Sequence, residues 1–187
     1  AKILHPASIW PGQLHNVPVR LLNTMDPAAA GTLIKAEVAE TGVKAIAAKD
    51  GITAIKIKSS RMLLAYGFLR RIFEVFESFK TPIDMITTSE VAVSVTIDSD
   101  LQLPFIIQEL EPFGTIEVDK NQTIVSLVGH EIATTPSILS KLAESVNEIP
   151  IRMGCYGGSP HNITLLVPAT HKTALLRQLN RGIFGLS

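Results

Sequence analysis

The sequence contains a single cysteine, Cys155. No disulfide can form within the chain, which fits a reducing compartment, and a lone Cys of this kind is expected as a small core residue. An excess of charge is missing too: Lys plus Arg and Asp plus Glu each number 17, for a formal net charge of zero. Without a basic stripe to neutralise phosphates, nucleic acid is excluded as a partner. No apolar run approaches the roughly 18–20 residues of a membrane-spanning helix, and the N-terminus has no basic segment followed by an apolar signal core. The expectation is a soluble, cytoplasmic chain with no membrane partner. The histidines at 5, 15, 130, 161 and 171 are scattered. None pair at the i, i+4 spacing of a helical metal site, so no metal is expected.

What is present is the profile of a globular protein: 46% hydrophobic and 18% charged residues, with 11 Pro and 12 Gly. At 187 residues the chain falls between one large domain and two small ones. It begins at Ala1 rather than Met, which sets the expectation that it is cut from something longer.

From residue 52 onward the hydrophobic period switches repeatedly between two and about 3.6, the signature of short strands alternating with helices. "ITAIKIKS" (52–59) alternates as a strand, and 67–80 places Phe68, Ile72, Phe76 and Phe79 on one helical face. "PIDMIT" (82–87) and "VAVSVTID" (91–98) read as a hairpin, followed by a helix over 101–113 and a strand over 114–119. The same order then begins again, with strand 123–129, helix 137–149, strands 151–156 and 162–168, and helix 171–184. This second β-α-β-β-α-β unit is one strand short, whereas "GVKAIAAK" (42–49) is a strand without a partner. The economical arrangement lends 42–49 to the second unit, because an unpaired sheet edge invites aggregation. The first unit is then inserted into the second. Residues 1–41 are broken by "HP", "WPG", "VPV" and "DPAAAG". Within them 17–23 reads as one more strand and "DPAAAGTLI" as a loop.

Three stretches carry a family likeness. Residues 59–98, with "MLLAYGFL" and "ITTSEV", closely resemble the first ACT domain of lysine-sensitive aspartokinases. "IRMGCYGGSPHNITLLV" (151–167) resembles the second ACT domain, and "AKILHPASIWPGQLHNVPVRLLNTMDPAAAGTLI" (1–34) resembles the end of the kinase domain. The resemblance implies an α+β fold of two ferredoxin-like ACT domains, each an antiparallel sheet with helices on one face. It divides the chain into a kinase-domain remnant and linker (1–41), an effector-binding ACT domain (52–119) and a dimerising ACT domain (42–51 plus 120–187). The lysine-phenylalanine-glycine-glycine-threonine motif of aspartokinases is absent, as are phosphate-binding glycine loops. The chain alone is therefore expected to be inactive. ATP and magnesium belong to the parent enzyme and no cofactor to this region.

The implied ligand is lysine, with threonine or S-adenosylmethionine as other candidates, and the implied partners are a second copy and the catalytic domain. A further reading is a small non-catalytic subunit that serves as an assembly partner. Carried over by resemblance, the effector contacts are Met62, Gly67, Phe68, Leu69, Ile83, Asp84, Ser89 and Glu90. The chemistry is consistent. A helix N-terminus at Gly67–Leu69 offers free N–H groups to a carboxylate, while Asp84 and Glu90, placed near one another, suit ammonium groups. Taken singly, Gly67 reads more readily as the tight turn that opens a helix, and the two carboxylates as solvated groups; it is the resemblance that raises the effector reading. At Ala65, Tyr66 and Pro82 the sequence departs from the family, which carries serine, a basic residue and serine there. "YGGSPHN" (156–162) is read as a hairpin connection rather than an anion-binding nest.

Overall fold

A computed structural model describes residues 4–35, 41–62 and 66–186, and the chain divides into two units, 1–41 and 42–187. In the first unit, helix α1 (Pro6–Leu14) opens with Pro in its first turn, and the Ala7 N–H donates to His5 Nδ1 at 3.2 Å. Strand β1 (Val19–Leu21) pairs antiparallel with β2 (Thr32–Ile34), Val19 opposite Ile34. Turns over 24–28 return the chain alongside β1, so the end of the segment read as a loop is drawn into a strand by its partner.

The second unit is built on two long strands, β3 (Gly42–Lys58) and β6 (Thr115–His130). Between them the chain forms helix α2 (Phe68–Ser78), strands β4 (Ile86–Thr88) and β5 (Ala92–Ile97), and helix α3 (Leu103–Leu110). After β6 come helix α4 (Ile138–Ser145), strands β7 (Met153–Cys155) and β8 (Asn162–Pro168), and helix α5 (Lys172–Phe184). All pairings are antiparallel, in the order β4-β5-β3-β6-β8-β7. The segment 42–49 pairs with the far part of β6, while Thr53–Lys58 sits between β5 and the near part of β6. Where the sequence pattern suggests four separate strands at 42–49, 52–59, 114–119 and 123–129, the structure has two that run on. The two halves therefore share one six-stranded sheet.

Continuity is possible because each long strand carries one extra residue near its middle. The register shifts between Lys49 and Ile52 on β3, and between Asp119 and Gln122 on β6. In a regular strand Ile46 and Ile55, nine apart, would face opposite sides. The bulge restores them to one side: Ile55 and Ile57 pack beneath α2 and α3, and Ile46 packs with Val125 and Leu127 beneath α4 and α5. The intervening residues form a third cluster on the other face, where Ile52 and Ala54 meet Met85, Ile124, Met153 and Leu166. This helix-free face is folded on itself, so that the two edge strands approach and the Cys155 thiol donates to the Ile86 carbonyl at 3.5 Å. Cys155 is half-buried against this third cluster.

Helix α2 shows how pattern becomes packing. Phe68, Ile72, Val75 and Phe76 are buried, and Phe79, just beyond the helix, stacks on Phe105 with ring centroids 6.2 Å apart. Full burial of such a side chain is worth about 1.5–3 kcal/mol.

At the bulge Gly51 adopts φ 74°, with open space where a Cβ would stand. Gly51→Ala is expected to cost about 1–2 kcal/mol through backbone strain alone. Gly154→Ala, in β7 without positive φ, is the control and should leave the urea midpoint nearly unchanged.

Candidate functional site

The candidate residues fall at two ends of the first half. At one end β3 finishes at Lys58, the Ser59 N–H donates to the Val91 carbonyl at 2.8 Å, and a short 3-10 turn, Ser60–Met62, leads toward α2. Met62 packs against the core beneath the helix. Gly67 caps α2 in the left-handed region with φ 76°, a conformation that disfavours any side chain. The first intrahelical bond runs from the Arg71 N–H to the Gly67 carbonyl at 3.2 Å. Gly67 has no side chain with which to cap this terminus, and at a helix start the N–H groups of Phe68 and Leu69 have no intrahelical acceptor. Leu69 and Tyr66 are exposed. The β4–β5 hairpin tip lies at this same end, with the Ser89 N–H donating to the Ala92 carbonyl at 2.8 Å and Glu90 exposed beside it. Ala65 lies outside the described residues.

Ile83 and Asp84 lie at the other end of the edge strand. The spacing from Asp84 to Glu90 corresponds to roughly 20 Å of extended chain. Within one chain the two carboxylates expected near one another are therefore separated, because β4 stands between them. Two residues of this strand oppose one of β5: the Asp84 N–H donates to the Thr96 carbonyl, and the Thr96 N–H to the Met85 carbonyl, each at 3.0 Å. Thr96 Oγ1 also accepts from the Met85 N–H at 2.9 Å. A bulge of this kind re-aims a side chain.

The Asp84 carboxylate meets Lys49, whose Nζ lies 3.0 and 3.2 Å from its two oxygens and 2.9 Å from Asp98 Oδ2. Sequence reading passed over Lys49 because it is one cation in an ordinary strand, and its partners lie 35 and 49 residues away. Lys49 and Asp84 line a cleft of about 470 Å³ on the helix-free face, together with Ile86, Cys155 and the mutually hydrogen-bonded hydroxyls of Ser126 and Thr164. Two more ion pairs flank the junction of the halves, Arg152 with Asp119 and Lys172 with Asp50. Lys172, aided by the Thr123 hydroxyl, holds the Asp50 carboxyl below its ordinary range. "YGGSPHN" forms the link between β7 and β8, with Gly157 at φ 86° and the Tyr156 hydroxyl donating to the Ala133 carbonyl. Among the described residues no three His, Cys, Asp or Glu side chains gather as metal ligands, and no helix is long and apolar enough to cross a membrane.

The hydrogen bond from Lys49 holds the Asp98 carboxyl below 3.8, and the same bond raises the Lys49 ammonium above 10.5 against the opposing effect of burial. A depressed carboxyl contributes stability above its unfolded value and loses it as pH falls through the folded one. A raised ammonium loses its contribution only as pH climbs past its folded value. The difference in unfolding free energy between the native sequence and Asp98→Asn, read from urea denaturation, should accordingly be flat across about pH 5–9 and vanish in acid. Its size should be about 1 kcal/mol or less, since both partners are partly solvated.

Comparison with known proteins places this geometry in context. Residues 125–182 match the ACT domain family. The chain is 30% identical to the lysine-sensitive aspartokinase 3 of Escherichia coli K12 over 98% of its own length, yet spans only 43% of that protein. A structure assigned to the C-terminal regulatory domain of an aspartate kinase from Porphyromonas gingivalis W83 is 42% identical, with a TM-score of 0.68 over 75% of this chain and 96% of its own. The structure of E. coli aspartokinase III in complex with lysine and aspartate, described as the T-state, matches 98% of this chain and 42% of its own at 30% identity, with a TM-score of 0.85.

Proposed function

This chain belongs to the family of aspartokinase regulatory regions built from ACT domains, and we propose that it is the effector-sensing part of an aspartokinase, binding free lysine where two copies meet. The observation that carries the reading is the symmetry of the edge strand. β4 is centred on Thr87, with Asp84 three residues before and Glu90 three residues after. If two copies pair antiparallel about Thr87, the Asp84 end of one copy faces the Glu90 end of the other. Separation within one chain becomes proximity between two. Facing carboxylates repel unless a cation lies between them, and lysine supplies two ammonium groups. The uncapped α2 terminus lies at the Glu90 end and offers the Gly67, Phe68 and Leu69 N–H groups to the ligand carboxylate. Met62, Ile83 and Ser89 complete the contacts, the first two as apolar walls for the stem.

Binding lysine in this way favours the paired arrangement over alternatives, and only that difference in affinity can be transmitted as feedback inhibition of aspartate phosphorylation. ATP and magnesium are then bound by the catalytic part of the longer protein. The first unit supports attachment to a larger body, since Trp10 is 65% and Met25 90% exposed.

Calorimetry with lysine, threonine and S-adenosylmethionine tests the reading. Lysine is expected to bind, and Asp84→Ala or Glu90→Ala to weaken it about tenfold or more, the worth of one charge-assisted hydrogen bond. Indifference to all three ligands would sink the proposal.

A further inference from the structure

Asp84 is already occupied. The group that occupies it is an ε-ammonium on a four-carbon stem, chemically the same as the side chain of free lysine. Lys49 reaches Asp84 from β3, from the part of that strand that pairs with the second half, and so crosses the junction between the halves. It is shared between two carboxylates, with contacts of 3.0 Å to Asp84 and 2.9 Å to Asp98. Its side chain is 47% exposed, and the adjoining cleft of about 470 Å³ leaves room for a second ammonium to approach. One cation between two carboxylates leaves the group with net negative charge, so a further ammonium is attracted. When it arrives, Lys49 need not be driven into water, because Asp98 remains within reach.

We infer that Lys49 is a built-in competitor for the effector's ammonium, yielding Asp84 to the bound ligand and falling back on Asp98. The inference rests on the reading of Asp84 as an effector contact and adds the regulation of that contact. Lys49 sets effector affinity without touching the ligand's final position, and Asp98 acts only through Lys49. Movement of Lys49 from one carboxylate to the other also changes a tie between the halves, since the tie to Asp84 is released while the one to Asp98 is kept. The sensing half thereby alters its link to the strand that completes the other half. An exposed ammonium tethered beside its carboxylate competes with modest strength, in keeping with the small worth of solvated ion pairs.

The test is a double-mutant cycle on the full 187-residue chain, read by calorimetry with lysine. Lys49→Met should bind lysine about two- to fivefold tighter, the fold-change equivalent to an exposed ion pair. Asp98→Asn should bind it weaker by a similar factor, because Lys49 then has only Asp84 to hold. In the Lys49→Met background Asp98→Asn should have no effect. A general influence of charge on a cationic ligand would instead make Asp98→Asn weaken binding equally in both backgrounds, and that result overturns the inference. So does an unchanged affinity in Lys49→Met. In either case lysine uptake by the native chain leaves the effector reading intact, whereas no uptake by the native chain or by Lys49→Met removes both. Lys49→Gln, checked by circular dichroism, serves as the second variant should the methionine disturb folding.

Discussion

Everything in the larger unit depends on the paired irregularity where β3 and β6 cross from one half to the other. A regular strand keeps side chains alternating without exception, and two halves joined by uninterrupted strands would need their apolar residues in a single phase. The phases differ here, Ile46 on one side of the junction and Ile55 on the other. One extra residue in each strand reconciles them. Asp50 then serves as a fixed post at the junction, accepting hydrogen bonds from the Thr123 hydroxyl and Lys172. A positive φ at Gly51 and another at Asn121 absorb the change in direction.

The bend that follows explains why the helix-free face is not open to water. Antiparallel sheets with helices on one side commonly leave the other side solvated, but here that side carries Ile52, Ile124 and Leu166, all buried. Folding the sheet brings its two edges together and leaves a cleft beside the buried cluster. Lys49 and Asp84 lie at the rim of that cleft, whereas Glu90 stands at the far end of the edge strand. A local bulge at Asp84 and Met85 and a global bend at Gly51 thus act on the same place, since the first directs Asp84 inward and the second carries Lys49 to it.

Much of this was legible from spacing. Phe68, Ile72 and Phe76 recur at helical intervals because a helix can bury only one stripe, and they are buried as that rule requires. Segment 42–49 was recognisable as a strand in need of a partner for a similar reason. The union of 42–49 with 52–58 was not legible, because Asp50–Gly51 has the composition of a turn and acts as a bulge only when β6 supplies a matching irregularity. Nor was the separation of Asp84 from Glu90 visible, since residues six apart look near in a list and are far apart along an extended strand.

The amino-acid pattern set the periodicities, and through them the type and order of the elements after residue 52, though not the fusion of 114–119 with 123–129 into one strand. It also determined that a glycine would open α2 and that carboxylates would stand at 84 and 90. Those properties are local, set by backbone sterics and the burial of one face. Tertiary structure alone decided that the two halves of the larger unit would share one sheet, that its plain face would close on itself, and that the ammonium of Lys49 would lie between Asp84 and Asp98. Each of these joins residues tens of positions apart, and such a contact forms only when the whole sheet has its register.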